Sequence, residues 1–345
     1  MFDDALLDDQ AALAGVDDDL RAVAGWGAQV RRAEASAKDA LDDLTDRVAS
    51  RPRAVVAAGP DGRLLRTVLE PVCPVPFVAW PHAGLPGWAG PLDLVVVMSA
   101  TGRGSDADEA TVTEAVRRGC DLLLSCPPDS PLDRLRRGRG ALVPTGSADP
   151  LAVSVPVLMA LHLLGLGPEV AAEPVAVALD EVALRCGPGV PTEVNPAKEL
   201  AMALADRVPV LWGGSPLAGR AARRVAEAVR AASGAPAVAG DPDQLVPLLQ
   251  AAPERDVFAD PFVDDESTTL VPVLVVLDDG TAEPAAQHAR ARLEQAGQAR
   301  GVAVHTLVSD TGPDVARFAS LLAMGRFAAL YLALGLSSAR PPGAP

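Results

Sequence analysis

Three hydroxyls, two glycines and an arginine lie within seven residues: Ser99, Thr101, Gly102, Arg103, Gly104 and Ser105. Hydroxyl and backbone N–H donors beside a guanidinium are the groups that hold a phosphate, and glycine lets the backbone approach its oxygens closely. The β-branched run Val95-Val96-Val97 stands just before this stretch, and a helical pattern follows it. Strand, loop and helix in that order put the loop at the carboxyl end of a buried strand. There a helix N-terminus presents unpaired N–H groups to an anion. The same residues also fit a plain helix start, with Thr101 or Ser105 as the capping side chain.

The elements that would position such a loop recur along the chain. Residues 1 to about 50 read as helical, with an Ala- and Leu-rich stretch from Ala11 to Leu20 and a charged helix from Gln29 to Val48. Short apolar strands follow at Arg53 to Gly59, Val75 to Trp80, Asp93 to Ser99 and Asp121 to Cys126, mostly separated by helix-compatible segments. Continuous apolar strands alternating with helices predict a parallel sheet covered on both faces. A breaker then leads into a buried connecting helix, and a Gly/Pro-rich segment runs from Cys186 to Pro196. The pattern then repeats: a helix at Ala197 to Asp206, a strand at Val208 to Gly214, a helix from Ser215, strands at Leu270 to Asp278 and Val302 to Val308, and a final helix from Pro313 to Leu334. The expected organisation is a first α/β unit in residues 1–150, a connecting helix and linker in 151–194, and a second α/β unit in 195–345 that ends in a frayed tail.

Composition narrows the ligand. At 345 residues, 49% hydrophobic and 22% charged, the chain can bury two ordinary cores. A net charge of −15 repels nucleic acid and anionic membrane, which leaves a small molecule or a protein partner. Cys73, Cys120, Cys126 and Cys186 have no C-x-x-C spacing and read as reduced thiols of a cytoplasmic protein. No export signal is seen, and neither a metal nor a cofactor is expected. Walker, G-x-G-x-x-G and G-x-S-x-G signatures are absent. The acidic clusters Asp17-Asp18-Asp19 and Asp264-Asp265-Glu266 lack calcium-loop spacing and read as solvated loops or helix starts. The one basic cluster, Leu135 to Gly140, is too short to outweigh the global charge.

Several stretches, in order, carry a family resemblance: Val55 to Gly59 with its turn, Val96 to Gly102, Asn195 to Ala201, Val208 to Gly214 with the helix after it, and Leu321 to Leu334. On these the chain resembles the bifunctional phosphoglucose/phosphomannose isomerases, which carry two tandem sugar isomerase (SIS) domains. The resemblance implies an α/β fold of two tandem SIS-type subdomains, each a mostly parallel sheet flanked by helices. It also implies a phosphosugar ligand and a homodimer, because the family's active sites lie between subunits. The family's first glycine-rich turn falls on Gly59-Pro60-Asp61-Gly62-Arg63, where Pro60 removes one donor and Asp61 adds a negative charge. The second loop keeps Ser99, Thr101 and Gly102 but continues as Arg103-Gly104-Ser105-Asp106. The family's assisting arginine would fall near Asp149-Pro150-Leu151, where there is none.

Aldose–ketose isomerisation needs a base that moves a proton between C1 and C2 and an acid that opens the ring. The resemblance puts the base at Glu227 and the family's lysine at Arg230, and the flanking asparagines are replaced by Ala226 and Ala228. The spacing of Arg223 and Glu227 equally describes an ordinary solvated i,i+4 pair. The family's ring-opening histidine has no counterpart in Ala235 to Pro247. Asp241 and Asp243 lie there, but an ordinary carboxylate is ionised at neutral pH and cannot donate a proton. Of the four histidines, His162 and His305 read as structural, His82 and His288 as surface residues. The expectation is therefore a phosphosugar-binding protein with reduced or no turnover, with an enzyme of sugar-nucleotide metabolism as a candidate partner. The alternative is an active glucose-6-phosphate/mannose-6-phosphate isomerase that uses Glu227 as base.

Overall fold

The computed structural model describes residues 2–45, 51–59, 62–253 and 271–337. Two compact units emerge, Trp26–Val177 on the one hand and Met1–Gly25 with Ala178–Pro345 on the other. Pro60, Asp61, the Asp264-Asp265-Glu266 cluster and the C-terminal tail lie outside the described residues.

Helices open the chain: a 3₁₀ turn at Asp4–Leu7, then α1 (Gln10–Ala14), α2 (Asp17–Ala24) and α3 (Trp26–Thr45). The expected helix from Ala11 to Leu20 is broken at Gly15 and Val16. Asp9 caps α1 by accepting from Ala12 N at 2.7 Å, and Asp17 to Asp19 form the acidic first turn of α2.

The unit of residues 26–177 continues with β1 (Val55–Ala58), α4 (Gly62–Leu69), β2 (Phe77–Trp80), β3 (Leu94–Met98), α5 (Asp106–Arg118), β4 (Asp121–Cys126), α6 (Pro131–Arg136), β5 (Ala141–Pro144) and α7 (Pro150–Leu163). All strands pair in parallel, in the order β2-β1-β3-β4-β5. Every residue of β1 and β3 is buried, as the continuous apolar runs require of a sheet covered on both faces. Val56, Ala58, Val95, Val97, Leu122 and Leu124 point to one face and pack with Val112 and Ala115 of α5 and Leu132 of α6. Strand alternation sends Val55, Ala57, Val96 and Leu123 to the other face. On that side the Ser154 hydroxyl of α7 lies 3.9 Å from Met98 Sδ of β3.

The other unit takes in part of α8 (Ala172–Cys186), α9 (Pro196–Leu204), β6 (Arg207–Gly213), α10 (Pro216–Ser233), β7 (Val238–Ala239), α11 (Pro242–Gln250), β8 (Val271–Asp278), α12 (Pro284–Gln298), β9 (Val304–Val308) and α13 (Asp314–Gly335). Its sheet is also wholly parallel, in the order β7-β6-β8-β9. Val210, Trp212, Leu274 and Val276 pack with Leu245 and Leu249 of α11 and Leu293 of α12. On the opposite side α10 crosses α13 closely: a Cβ on Gly325 would lie 2.2 Å from Val225 Cγ2. Helix α13 is long and apolar enough to cross a membrane by length and composition, but 83% of its most apolar window is buried inside the protein.

Residues 2–25 pack on α13 within this unit. Asp3 N donates to Gly335 O at 2.9 Å, and Asp8 pairs with Lys198 at 2.7 Å. Cys186, buried here, has its thiol pushed up to about 11 by burial. Cys120 and Cys126 are buried as well, Cys73 is half-buried, and all four cysteines are unpaired.

Candidate functional site

In the five-stranded sheet the strand order reverses between β1 and β3, and ligands of open parallel sheets bind outside the carboxyl ends of the strands at such a switch point. The residues there are Gly59 after β1 and Ser99 after β3, on adjacent strands whose last pairs include Ala58 with Val97. Gly59 adopts φ +80°, which an L side chain rarely tolerates. Ser99 is buried. Its N–H donates to Ser125 O at 2.8 Å, and its hydroxyl accepts from the N–H groups of Gly102 at 3.2 Å and Gly104 at 3.3 Å. Gly102 is needed for space, because a Cβ there would come within 2.6 Å of Ser130 Cβ and 2.8 Å of Pro127 Cδ. Thr101 and Arg103 stand exposed on the outer side of the loop.

Of the two readings of Ser105, the capping role is realised. Ser105 heads α5, its hydroxyl accepts from Asp108 N at 3.2 Å, and its own N–H donates to Asp108 Oδ2 at 2.8 Å. Thr101 takes no part in that cap. The capping box brings a carboxylate into the crevice: Asp108 Oδ1 lies 3.1 Å from where a Cβ on Gly59 would stand. Asp108 thus touches both turns of the switch point, and sequence reasoning did not single it out. The signal was present in Ser105-Asp106-Ala107-Asp108, an S-x-x-D helix start. Gly62 sits behind this crevice, buried at the first turn of α4, with room for no side chain: a Cβ would lie 2.8 Å from Ala57 O.

Glu227 and Arg230 belong to the other unit, on α10. Glu227 Oε2 accepts from Arg224 Nη1 at 2.6 Å, so the solvated pair forms at i,i+3 with Arg224, and Arg223 reaches instead to Asp241 at 3.5 Å. Ala226 and Ala228 beside it are buried alkyl contacts. Arg230 is exposed and donates to Ala237 O at the turn after the helix. Asp243 pairs with Arg292 at 3.0 Å. The switch point of the second sheet, between β6 and β8, opens a cavity of about 270 Å³ lined by Trp212, Asp278, Asp279, Thr281, Gln287 and Arg290. There the α10 N-cap, Ser215, donates to the Asp279 carboxylate, again an internal anion at a helix start.

The histidines are scattered. His82 follows β2 with its ring edge-on to Trp80 at 5.0 Å, and His288 is exposed on α12. His305 is half-buried on β9, 4.0 Å from Glu199. His162, expected in a core or helix contact, is exposed, because α7 turns it outward in its last turn, where Nδ1 meets Gly167 O at 3.1 Å. Among the described residues no cluster of three or more His, Cys, Asp or Glu is arranged to hold a metal ion.

Residues 193–337 match the family described as the bacterial phospho-glucose isomerase C-terminal SIS domain. Nothing among the curated proteins matches the chain. Among solved structures, the tagatose-6-phosphate ketose/aldose isomerase from Escherichia coli superposes with a TM-score of 0.67 at 14% identity, covering 94% of this chain and 95% of its own. The C-terminal domain of glucosamine-fructose-6-phosphate aminotransferase from Francisella tularensis gives 0.60 at 13% identity over 91% of this chain and 94% of its own. Two parallel sheets that share one strand order, a fold likeness over nearly the whole length and the family match in the second half converge on the fold: the chain folds as two tandem SIS-type subdomains, and residues 193–337 of the second are similar to the bacterial phospho-glucose isomerase C-terminal SIS domain.

Proposed function

We propose that the chain binds a phosphorylated sugar at the switch point of its five-stranded sheet and turns it over slowly or not at all. The observation that supports this most is the adjacency of the Gly59 turn and the Ser99–Ser105 loop at the carboxyl ends of β1 and β3, with the α5 N-terminus behind them. In this reading Thr101 and Arg103, exposed on the loop, add a hydroxyl and a positive charge, and Ser99 shapes the loop by binding the Gly102 and Gly104 N–H groups. The assembly in this reading is a homodimer, as the family resemblance implies, and a cytoplasmic one, as the cysteine pattern implies.

Low turnover follows from the surroundings of Glu227. A base must be free to take the C1 or C2 proton, yet Glu227 is paired with Arg224 and flanked by alanines that offer no polar support. Asp241 and Asp243, the carboxyls nearest in sequence to a ring-opening acid, each face an arginine. The second reading, an active aldose–ketose isomerase with Glu227 as base, is favoured by the family match of residues 193–337.

Calorimetric titration with glucose 6-phosphate, mannose 6-phosphate and free glucose, beside a coupled isomerase assay, tests both. The expected result is binding of the phosphorylated sugars only, without turnover above background. Absence of any phosphosugar binding sinks the proposal, and brisk turnover establishes the second reading.

A further inference from the structure

We infer that the cavity at the carboxyl ends of β6 and β8 binds a nucleoside, its base against Trp212 and the vicinal hydroxyls of its ribose on Asp278 and Asp279. The two sheets share one strand order, so β6 stands in the second where β1 stands in the first, and β8 where β3 stands. The corresponding loops carry opposite chemistry. Hydroxyls and Arg103 follow β3, whereas Asp278-Asp279-Gly280-Thr281 runs out of β8. Carboxylates repel a phosphate and accept from hydroxyls, so the second switch point suits an uncharged ligand rich in O–H donors. Every residue of the turns that follow β6, β8 and β9 is described.

The cavity, about 270 Å³, has an apolar side and a polar side. Trp212, Val276 and Ala286 form the apolar one, and Gly214 is pressed against it: a Cβ there would come within 3.2 Å of Trp212 Cη2 and 3.0 Å of Ala286 Cβ. Trp212 is only 6% exposed, yet its indole N–H donates to no described residue. A nearly buried donor of this kind needs an acceptor from outside the chain. On the polar side Asp279, 7% exposed, accepts from the Ser215 hydroxyl and from Thr281 N at 3.3 Å. Asp278 accepts from Gly280 N at 2.9 Å and Arg290 Nη1 at 2.7 Å. A carboxylate has about four acceptor positions, so each keeps room for further donors. The Thr281 hydroxyl and the Gln287 amide, also lining the cavity, bond to no described residue.

A bare sugar is polar on all sides and wastes the apolar wall, and a phosphorylated ligand meets two carboxylates. A nucleoside has the same two sides as the cavity. Its flat base covers apolar surface and carries acceptors for the Trp212 N–H and the Gln287 amide. Its vicinal hydroxyls donate to carboxylate oxygens, the pairing by which an acid holds a ribose 2′-hydroxyl in dinucleotide-binding sheets. Gln287 and Ala286, in the first turn of α12, lie where they can sort one base from another. This inference does not depend on the phosphosugar reading.

Calorimetric titration of the full chain with adenosine, uridine, their 2′-deoxy forms and free ribose tests the inference, with thermal melts to confirm that each variant is folded. At least one of the two nucleosides is expected to bind, about ten-fold more tightly than its 2′-deoxy form, the effect of one lost hydrogen bond to a charged group. Ribose alone should bind far more weakly. Ala286→Trp, which fills the cavity from a half-buried helix position, should abolish binding. Ser99→Ala with Thr101→Ala, in the other subdomain, should leave it unchanged. No binding of either nucleoside, equal affinity for the deoxy forms or for ribose, binding that survives in a folded Ala286→Trp, or binding lost in the Ser99/Thr101 variant overturns the inference. None of these outcomes bears on whether phosphosugars bind, which the glucose 6-phosphate titration decides separately. The wild-type comparison of ribose and deoxyribose forms decides the matter even if Ala286→Trp does not fold.

Discussion

The fully buried ammonium of Lys198 lies 2.7 Å from a carboxylate oxygen of Asp8, 190 positions away in the chain. It also donates to the carbonyls of Pro188 at 3.1 Å and Val190 at 2.8 Å, above the ring of Tyr331 at 5.5 Å. Its three protons are thus all placed, and one buried side chain ties together the first residues, the loop before α9 and helix α13.

That bond holds the Asp8 carboxyl below its ordinary range, with the hydrogen bond from Lys198 as the leading cause. Around pH 4 the unfolded chain therefore binds more protons than the folded one. The contribution of Asp8 to stability is complete above its unfolded pKa of about 3.9 and is lost as pH falls through the lower folded value. Melting temperatures of the wild type and Asp8→Asn should differ by a few degrees at pH 7 and converge below pH 4. A difference that stays constant from pH 7 to pH 3 contradicts this role.

The crossing of α10 and α13 depends on the missing side chain of Gly325. Val225 is stiff at its first side-chain torsion and cannot swing away from a methyl group placed 2.2 Å from its Cγ2. Gly325→Ala is expected to cost about 1–3 kcal/mol in urea unfolding, the usual penalty of overpacking. Adding Val225→Ala should restore a substantial part, and a double mutant no more stable than the single one would show that the clash is not the cause.

At the ligand loop, Ser99→Ala combined with Thr101→Ala removes the hydroxyl that binds two loop N–H groups and the exposed hydroxyl beside it. Calorimetry should show phosphosugar binding weakened by about 1–3 kcal/mol. Unchanged affinity in a folded double mutant would remove this loop from the site.

For the chemistry, Glu227→Gln keeps the shape and removes the base. Groups that act as one unit do not lose rate multiplicatively, so a trace of turnover in the wild type is compatible with the missing acid. Whatever isomerase activity the wild type has should disappear in Glu227→Gln, while phosphosugar affinity stays within about two-fold. Activity that survives the substitution would place the base elsewhere.

Much of the architecture was legible because buried parallel strands announce themselves: β1, β2, β3, β4, β8 and β9 lie within the apolar runs read from the sequence, and β6 starts one residue ahead of its run, at Arg207. The strands that went unread, Ala141–Pro144 and Val238–Ala239, are short edge strands with one neighbour each, so no two-sided burial shapes their composition. The Ser99 loop was legible from its place between strand and helix. Asp108 was not: an acid in a first helical turn looks like ordinary capping, and only the fold reveals that its second oxygen meets the turn after β1. The partner of Glu227 was read as Arg223 and is Arg224 instead, since both arginines lie within helical reach and Asp241 draws Arg223 away.

The packing of residues 2–25 on α13 sets a condition on how the protein is made. That segment emerges from the ribosome about 290 residues ahead of the helix that covers it. At typical rates of synthesis, about 5–20 residues per second, Leu7, Leu20 and Val23 wait tens of seconds without the surface that buries them. The sheet of residues 26–177 is complete in sequence long before then and can fold while the first residues are still unattached. The opening segment is thus the last piece to be secured, and closing it over α13 completes the other unit.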